Sequence, residues 1–389
     1  MSKTSRVTVI STADWDHPIQ TNKQHVARTL AAMGWQVLYI ESLALRPITA
    51  RVDGDRSRVL KRLIGALKGL RRVQPNILVA SPLVLPDWRR RWVRRVNKVA
   101  LAIQAWAWRL RVGRSELVLV YSPPGVLLLG ALGALDSHGR TKVIYHCVDD
   151  IAAQPDMPAD LIDGWERRLV EIARGVATTA PELTRRVRAL GALNVLEQTN
   201  VVDFPRFETA RAAVAARPRG RTVGFLGAIS LYKFNLSWVI EAALALPDAT
   251  FELYGPVGEG ESGVSSSSFA LPVNVHLRGS VALEEVPSVM ANFDVAMIPA
   301  PLNRYTESMF PMKFFEYLAA GVPVVASDLP ALRQFSEVLM VARTVDDFVS
   351  AIKRTLEGEG ASFGDRVRVA ARFTYEGRTR EMLETIERW

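Results

Sequence analysis

Residues 310–327 read FPMKFFEYLAAGVPVVAS, a short helix running into a buried strand. Pro311 suits a first helical position, Gly321 can close the helix in the left-handed conformation, and Pro323 opens the apolar run Val324, Val325, Ala326. The helix is therefore expected to start at Pro311 or Met312. Lys313 then falls in its first turn, where the macrodipole is already positive and a cation is mildly unfavourable. An anion sharing that helix end explains the lysine, and a phosphate is the obvious candidate. Glu316 lies three residues on, on the same helix face, where its carboxylate can accept hydrogen bonds from a neighbouring diol. Phosphate plus diol describes a nucleotide. The alternative is a solvated Lys/Glu pair at helical spacing.

Working outward, short apolar runs alternate with helical patterns along the whole chain. The first series is Val7 to Ile10, Val37 to Ile40, Ile77 to Ala80, Leu117 to Tyr121, Val143 to Val148, Val176 to Thr179 and Val195 to Gln198. The second is Thr222 to Leu226, Thr250 to Tyr254, Val275 to Leu277, Val295 to Ile298, Pro323 to Ala326 and Val338 to Val341. Such alternation implies an α/β chain with parallel sheets covered by helices on both faces. Two Rossmann-like domains are expected, at 1–205 and 218–370, joined by the strandless Ala/Arg/Pro stretch Asp203 to Arg221. The helical pattern in 371–389 is expected to return to the first domain. Open parallel sheets bind ligands beyond the carboxyl ends of their strands, so two such domains would face a central cleft.

At 389 residues and 49% hydrophobic content, the chain is long enough for two cores. Its single cysteine, Cys147, excludes an intramolecular disulfide framework, fits a reducing compartment, and sits in an apolar run as a structural thiol would. The five histidines lack zinc-binding spacing, so no structural metal is expected. The opening MSKTSRVTVIST has no long apolar segment, and a cytoplasmic protein is expected. Residues 46–114 hold 18 Lys or Arg against Asp53, Asp55 and Asp87, whereas the whole chain totals only +9. Charge so localised marks a surface for an anionic partner.

The second domain opens with GFLGAISLYKFNLSWVIEAA at 224–243. Gly227 permits close backbone approach, and Lys233, just before the helix, could reach a diphosphate. Arg278 and Gly279 end a later strand on what should be the same rim, completing a candidate nucleotide-binding set with Lys313 and Glu316. GFLGAI lacks the third glycine of the dinucleotide fingerprint and no P-loop is present, which counts against NAD and ATP.

This order of elements resembles the GT-B glycosyltransferases over nearly the whole chain. EYLAAGVPVVAS at 316–327 resembles the nucleotide-sugar signature of their C-terminal domains, and TNVVDFPRF at 199–207 their interdomain segment. Many retaining members carry a further glutamate eight positions before the ribose-binding one; that position is Ser308 here, with Glu307 one residue out of register. ADWDHPIQTNKQHVARTLAAMGW at 13–35 and the pair Met312–Lys313 resemble the membrane-associated glucuronosyltransferases of xanthan assembly and related exopolysaccharide enzymes. That resemblance implies a UDP-linked donor, an inverting transfer, and a catalytic base at Asp149 in VIYHCVDD. Read alone, Asp149 and Asp150 could equally be a helix-capping pair.

An inverting transfer needs a carboxylate within hydrogen-bond reach of the acceptor hydroxyl. Lys233, Lys313 and the helix terminus near Pro311 would offset charge on the departing diphosphate, so no cofactor or catalytic metal is expected. Asp16, His17, Gln20, Asn22 and His25, after the first strand, are the candidate acceptor-binding residues. His146 reads as a strand histidine.

From Trp88, the apolar positions Trp92, Val96, Val99, Ile103, Trp106 and Leu110 follow at spacings of 4, 4, 3, 4, 3 and 4, one helix face flanked by Arg90, Arg91, Arg94 and Lys98. Part of this stripe should pack on the sheet, and tryptophan with arginine suits a headgroup boundary. The combined expectation is a peripheral enzyme on the inner face of the cell membrane, acting on a lipid-linked or glycan acceptor in cell-surface polysaccharide assembly. Alternatives are a retaining transferase or nucleotide-sugar epimerase of the same fold, and, from the charge alone, a nucleic-acid-binding protein.

Overall fold

A computed structural model describes residues 5–17, 20–45, 69–135, 139–259, 261, 264–265 and 268–389. The basic stretch 46–68 and parts of the polar loop 258–268 lie outside them. The described chain forms two compact units, the first from residues up to Thr179 with Leu183–Gln198 and Thr379–Trp389, the second from Ala180–Glu182 and Thr199–Arg378.

The first unit is built on β1 (Arg6–Ile10), β2 (Gln36–Ile40), β3 (Arg71–Gln74), β4 (Ile77–Ala80), β5 (Leu117–Val120), β6 (Lys142–Cys147), β7 (Gly175–Thr178) and β8 (Val195–Glu197), in sheet order β3-β4-β2-β1-β5-β6-β7-β8. All pairings are parallel except β3 with β4. The central strands are buried on both faces, which is why they read as unbroken apolar runs. Polar β3, an antiparallel edge strand, has alternating exposure and gives no such signal. Cys147 at the end of β6 is buried, and burial pushes its thiol up.

The second unit holds β9 (Thr222–Leu226), β10 (Thr250–Tyr254), β11 (Val275–Gly279), β12 (Val295–Ile298), β13 (Val324–Ser327) and β14 (Leu339–Ala342), all parallel, in order β11-β10-β9-β12-β13-β14. The chain winds outward from β9 in one direction and then, from β12, in the other: the doubly wound pattern of a Rossmann sheet, whose ligand crevice opens where the order reverses. Its helices are capped locally. The Asn235 side chain accepts from the Trp238 amide, and Thr344 accepts from Asp347. Phe310, Phe314, Phe315, Phe335 and Phe373 form one aromatic cluster beneath the helix Lys313–Ala319.

The chain passes between the units at Gln198 and Thr199, ahead of the expected linker, and Asp203–Arg221 belongs to the second unit, where it includes the helix Glu208–Ala216. From Thr379 onward the terminal helix Tyr375–Arg388 belongs to the first unit, where Lys142 Nζ donates to the Ile386 carbonyl at 2.7 Å and the Trp389 ring lies over Gly175.

One expectation is corrected. The helix Arg91–Val112 turns Val93, Asn97, Leu101, Ala105 and Trp108 inward, so the more apolar stripe faces outward. Only Trp88, ahead of the helix, is packed inside: its Nε1 donates to the Leu43 carbonyl and its ring meets Trp165 edge-on at 5.4 Å. Trp88 is a core residue and not part of a docking surface. Arg90 is also engaged locally, on Asp87 at 2.8 Å.

Candidate active site

In the second unit the crevice at the switch between β9 and β12 is edged by glycines. Gly227 follows β9 and donates its amide to the Tyr254 carbonyl at 2.9 Å; Gly255 follows β10 and donates to the Gly279 carbonyl at 2.7 Å. Gly255 and Gly279 both have positive φ, at 140° and 74°, and a Cβ on Gly255 would run into the Gly227 carbonyl. These three glycines bring bare backbone to adjacent strand ends, where a ligand can approach closely. Gly255 went unnoticed in the sequence because YGPVG carries no fingerprint spacing.

The helix Lys313–Ala319 begins one or two residues later than its proline suggests, with Met312 as the flanking residue. Lys313 is thus its first residue, and Gly321 takes φ 81° just past its end, as a left-handed closing residue should. Tyr317 ties the helix to the rim by accepting from the Leu226 amide at 2.9 Å. Lys313 Nζ and Glu316 Oε2 are 2.6 Å apart, with 24% and 14% of their side chains exposed, so the two predicted nucleotide contacts form one sheltered pair. Lys233 lies 3.6 Å from Glu259 and over the Tyr232 ring. Arg278 and Gly279 end edge strand β11 as expected, and Arg278 there forms a bidentate pair with Glu252 of β10, at 2.5 and 2.9 Å. Ser308 is buried and Glu307 exposed, so the retaining-type position offers no carboxylate.

In the first unit the order reverses between β1 and β5, and the polar residues after β1, β5 and β6 converge there. Lys23, in the first turn of the helix Asn22–Ala32, lies 3.9 Å from Asp149, with side-chain exposures of 7% and 28%. Tyr121 donates to Asn22 Oδ1 at 3.4 Å, stacks on buried His146 with ring centroids 4.6 Å apart, and lies beneath the Lys23 ammonium. The acidic pair separates into two roles. Asp150 is buried, caps Ile151–Ala153 by accepting from the Ala153 amide, and meets Arg186, which also binds Asp163 and Glu166. Asp149 is the more accessible of the two and faces Lys23.

The remaining acceptor candidates divide. Asn22 joins the Tyr121 cluster. Asp16 is exposed and bound to Arg71 at 2.8 Å, and Arg71 in turn holds Glu41, which accepts from the Trp15 amide and shapes this loop. Gln20 donates to the His17 carbonyl, and His25 lies on the helix flank, half-buried. Lys23 and Gln24 escaped the sequence reading. Gln24 accepts from the Thr21 amide and donates to the Asp14 carbonyl, fixing the helix start. A cation in a first helical turn, the signal used for Lys313, was present at Lys23 as well.

Burial lowers the Lys23 pKa, with Asp149 acting in the opposite sense. A lysine whose folded value lies below its unfolded one costs stability while charged, and that cost fades as pH rises through the interval between the two values. Lys23→Met should therefore raise the thermal midpoint at neutral pH, with a gain that shrinks toward alkaline pH. Unfolding scans across that range check it; a neutral-pH loss of stability would show that the lysine is a structural tie.

Among the described residues, no group of three or more His, Cys, Asp or Glu is arranged to hold a metal ion, and no helix is long and apolar enough to cross a membrane.

Residues 220–358, within the second unit, match the family described as Glycosyl transferases group 1. The matched span contains every candidate nucleotide-binding residue named above. A Bacillus subtilis (strain 168) protein described as a teichuronic acid biosynthesis glycosyltransferase, TuaH, is 28% identical over 261 residues, 62% of this chain and 64% of that protein. The match therefore spans just under two thirds of that relative's length. Sucrose-phosphate synthase from Thermosynechococcus elongatus aligns with a TM-score of 0.74 at 16% identity, over 99% of this chain and 98% of that one. Anabaena HepE, solved with UDP and glucose, aligns with a TM-score of 0.66 at 15% identity, over 98% and 99%. At such identities the likeness is one of fold, and that fold, over the whole chain, is GT-B.

Proposed function

We propose, from the GT-B fold and the group 1 glycosyltransferase match in the second unit, that this chain moves a sugar from a UDP-linked donor to a hydroxyl of a lipid-linked or glycan acceptor in cell-surface polysaccharide assembly. The observation that carries the reading is the sheltered Lys313–Glu316 pair in the first turn of its helix, tied by Tyr317 to a rim of three bare glycine backbones. A diphosphate would take over the lysine, exchanging one anionic partner for another, and the hydroxyls of a ribose diol would donate to the freed glutamate. UDP is favoured because HepE was solved with it.

In the first unit, Asp149 is the proposed base. It has the accessibility that Asp150 lacks and lies 3.9 Å from Lys23. The transfer is then an inverting one: the carboxylate takes the acceptor proton as the oxygen attacks the anomeric carbon and UDP leaves. Lys313 and Lys233 offset the charge developing on the diphosphate, and no metal is assigned a part in the step. We place the enzyme at the inner face of the cell membrane, where a lipid-borne acceptor is met.

The test is acceptor-dependent UDP release. The purified chain is incubated with UDP-glucose, UDP-glucuronic acid or UDP-galactose, with and without a membrane lipid extract. One donor should give free UDP only when extract is present, and EDTA should leave the rate unchanged. Conversion of a donor to its epimer without UDP release, or silence with all donors and extracts, would refute the proposal.

A further inference from the structure

The outward face of the helix Arg91–Val112 is apolar where a solvated face should be polar. Trp92, Val96, Val99, Ile103, Trp106 and Leu110 form one stripe, each between 46% and 65% exposed, directly opposite the buried face. The stripe is widened by a built feature. Asn97 and Gln104 each exchange two hydrogen bonds with the backbone of Leu85 and Leu83, at 2.7 to 3.0 Å, so their amides hold that segment alongside the helix. Leu83 and Leu85 are themselves 46% and 40% exposed. Contiguous exposed apolar surface of this size marks an interaction site.

One flank of the stripe is basic. Arg91, Arg94, Arg95 and Lys98 line a recess of about 330 Å³ walled by Trp88 and Trp165. Arg94 is fixed there by donating to the Trp88 and Arg89 carbonyls. Among the described residues, Arg91, Arg95 and Lys98 meet no carboxylate within ion-pair distance. At 100° per residue these three lie on one side of the stripe, with Ala100 and Ala107 on the other. Apolar stripe and cationic recess share one helix, and the partner must therefore present anionic groups next to hydrocarbon.

We propose that this helix lies in the plane of an anionic phospholipid bilayer, its stripe among the upper acyl segments and a lipid phosphate in the recess of Arg91, Arg94, Arg95 and Lys98. Tryptophans at the two ends of the stripe suit the headgroup boundary, and arginine stems reach a phosphate from there. A nucleic acid would leave six large apolar side chains without a partner. A second copy, stripe to stripe, would cover the hydrocarbon but bring the recess no anion from this helix, since Arg91–Val112 has no acidic residue. The inference supplies the surface on which the proposed lipid-borne acceptor is met, but it is read without donor or acceptor, so its failure would leave the transfer reaction standing.

The experiment is co-sedimentation with vesicles of phosphatidylcholine alone or mixed with phosphatidylglycerol. The parent chain should bind the mixed vesicles at least tenfold more tightly, with tryptophan emission quenched by brominated acyl chains. Arg91→Gln/Arg95→Gln/Lys98→Gln and Trp92→Ser/Ile103→Ser/Trp106→Ser should each weaken binding tenfold or more, the second also abolishing quenching. All six positions are exposed, so circular dichroism should show both variants folded. The proposal is overturned if the parent chain ignores anionic vesicles, if folded variants bind as well as it does, if the serine variant instead dissolves a dimer, or if duplex DNA binds and vesicles do not.

Discussion

Asp149→Asn is expected to lower turnover by about 10²-fold or more while donor binding survives. Asparagine keeps the shape of the side chain and removes only its capacity to take a proton. Asp150 is a poor substitute: it is buried, so moving it to the acceptor would break both its capping hydrogen bond and its ion pair with Arg186. Steady-state kinetics with the preferred donor, together with UDP affinity by calorimetry, separate a chemical defect from a binding one. Near-normal turnover would remove Asp149 from the chemistry, and the anomeric configuration of the product, read by NMR, would then show whether transfer inverts or retains.

The second large effect is expected at Lys313. Lys313→Ala should weaken UDP binding by about 1.5 to 3 kcal/mol, the range for a hydrogen bond to a charged group, with the fold intact because the helix is held through Tyr317 and its phenylalanine cluster. Glu316→Gln should act in the same direction if the carboxylate holds the ribose. The competing reading, an i,i+3 pair with no ligand role, allows only a few tenths of a kcal/mol. Unchanged UDP affinity in folded Lys313→Ala protein would favour that reading.

Much of this architecture was legible in the sequence because a strand buried on both faces has to be apolar throughout. Val295–Ile298 and Leu117–Val120 announce themselves in that way. Strand Arg71–Gln74 did not, since an antiparallel edge strand can be stable with arginines on it. Periodicity located the face of the helix Arg91–Val112 but not its direction. The inward face includes Asn97 and Ala105 and is the less apolar of the two, so a reading that sends the most hydrophobic side into the core fails at this helix. Lys313 and Glu316 were identifiable from helix position alone, and Gly321 from its place after the last helical turn. Which residues surround Asp149 was not legible, because Asn22 and Lys23 start the helix after β1, Tyr121 follows β5 and Asp149 itself follows β6, and they meet only through the sheet order. The engagement of Arg278 by Glu252 depends likewise on strand register, which no local pattern encodes.

Binding of a uridine diphosphate in the second unit is the central claim, and calorimetric titration of the whole chain with UDP, GDP, ADP and NAD tests it most directly. The account predicts one site for UDP, at least tenfold weaker binding of the others, and a rise in the unfolding temperature with UDP concentration, as mass action requires of a ligand that binds only the folded state. Equal affinity for all four, or tighter binding of ADP or NAD than of UDP, would contradict it.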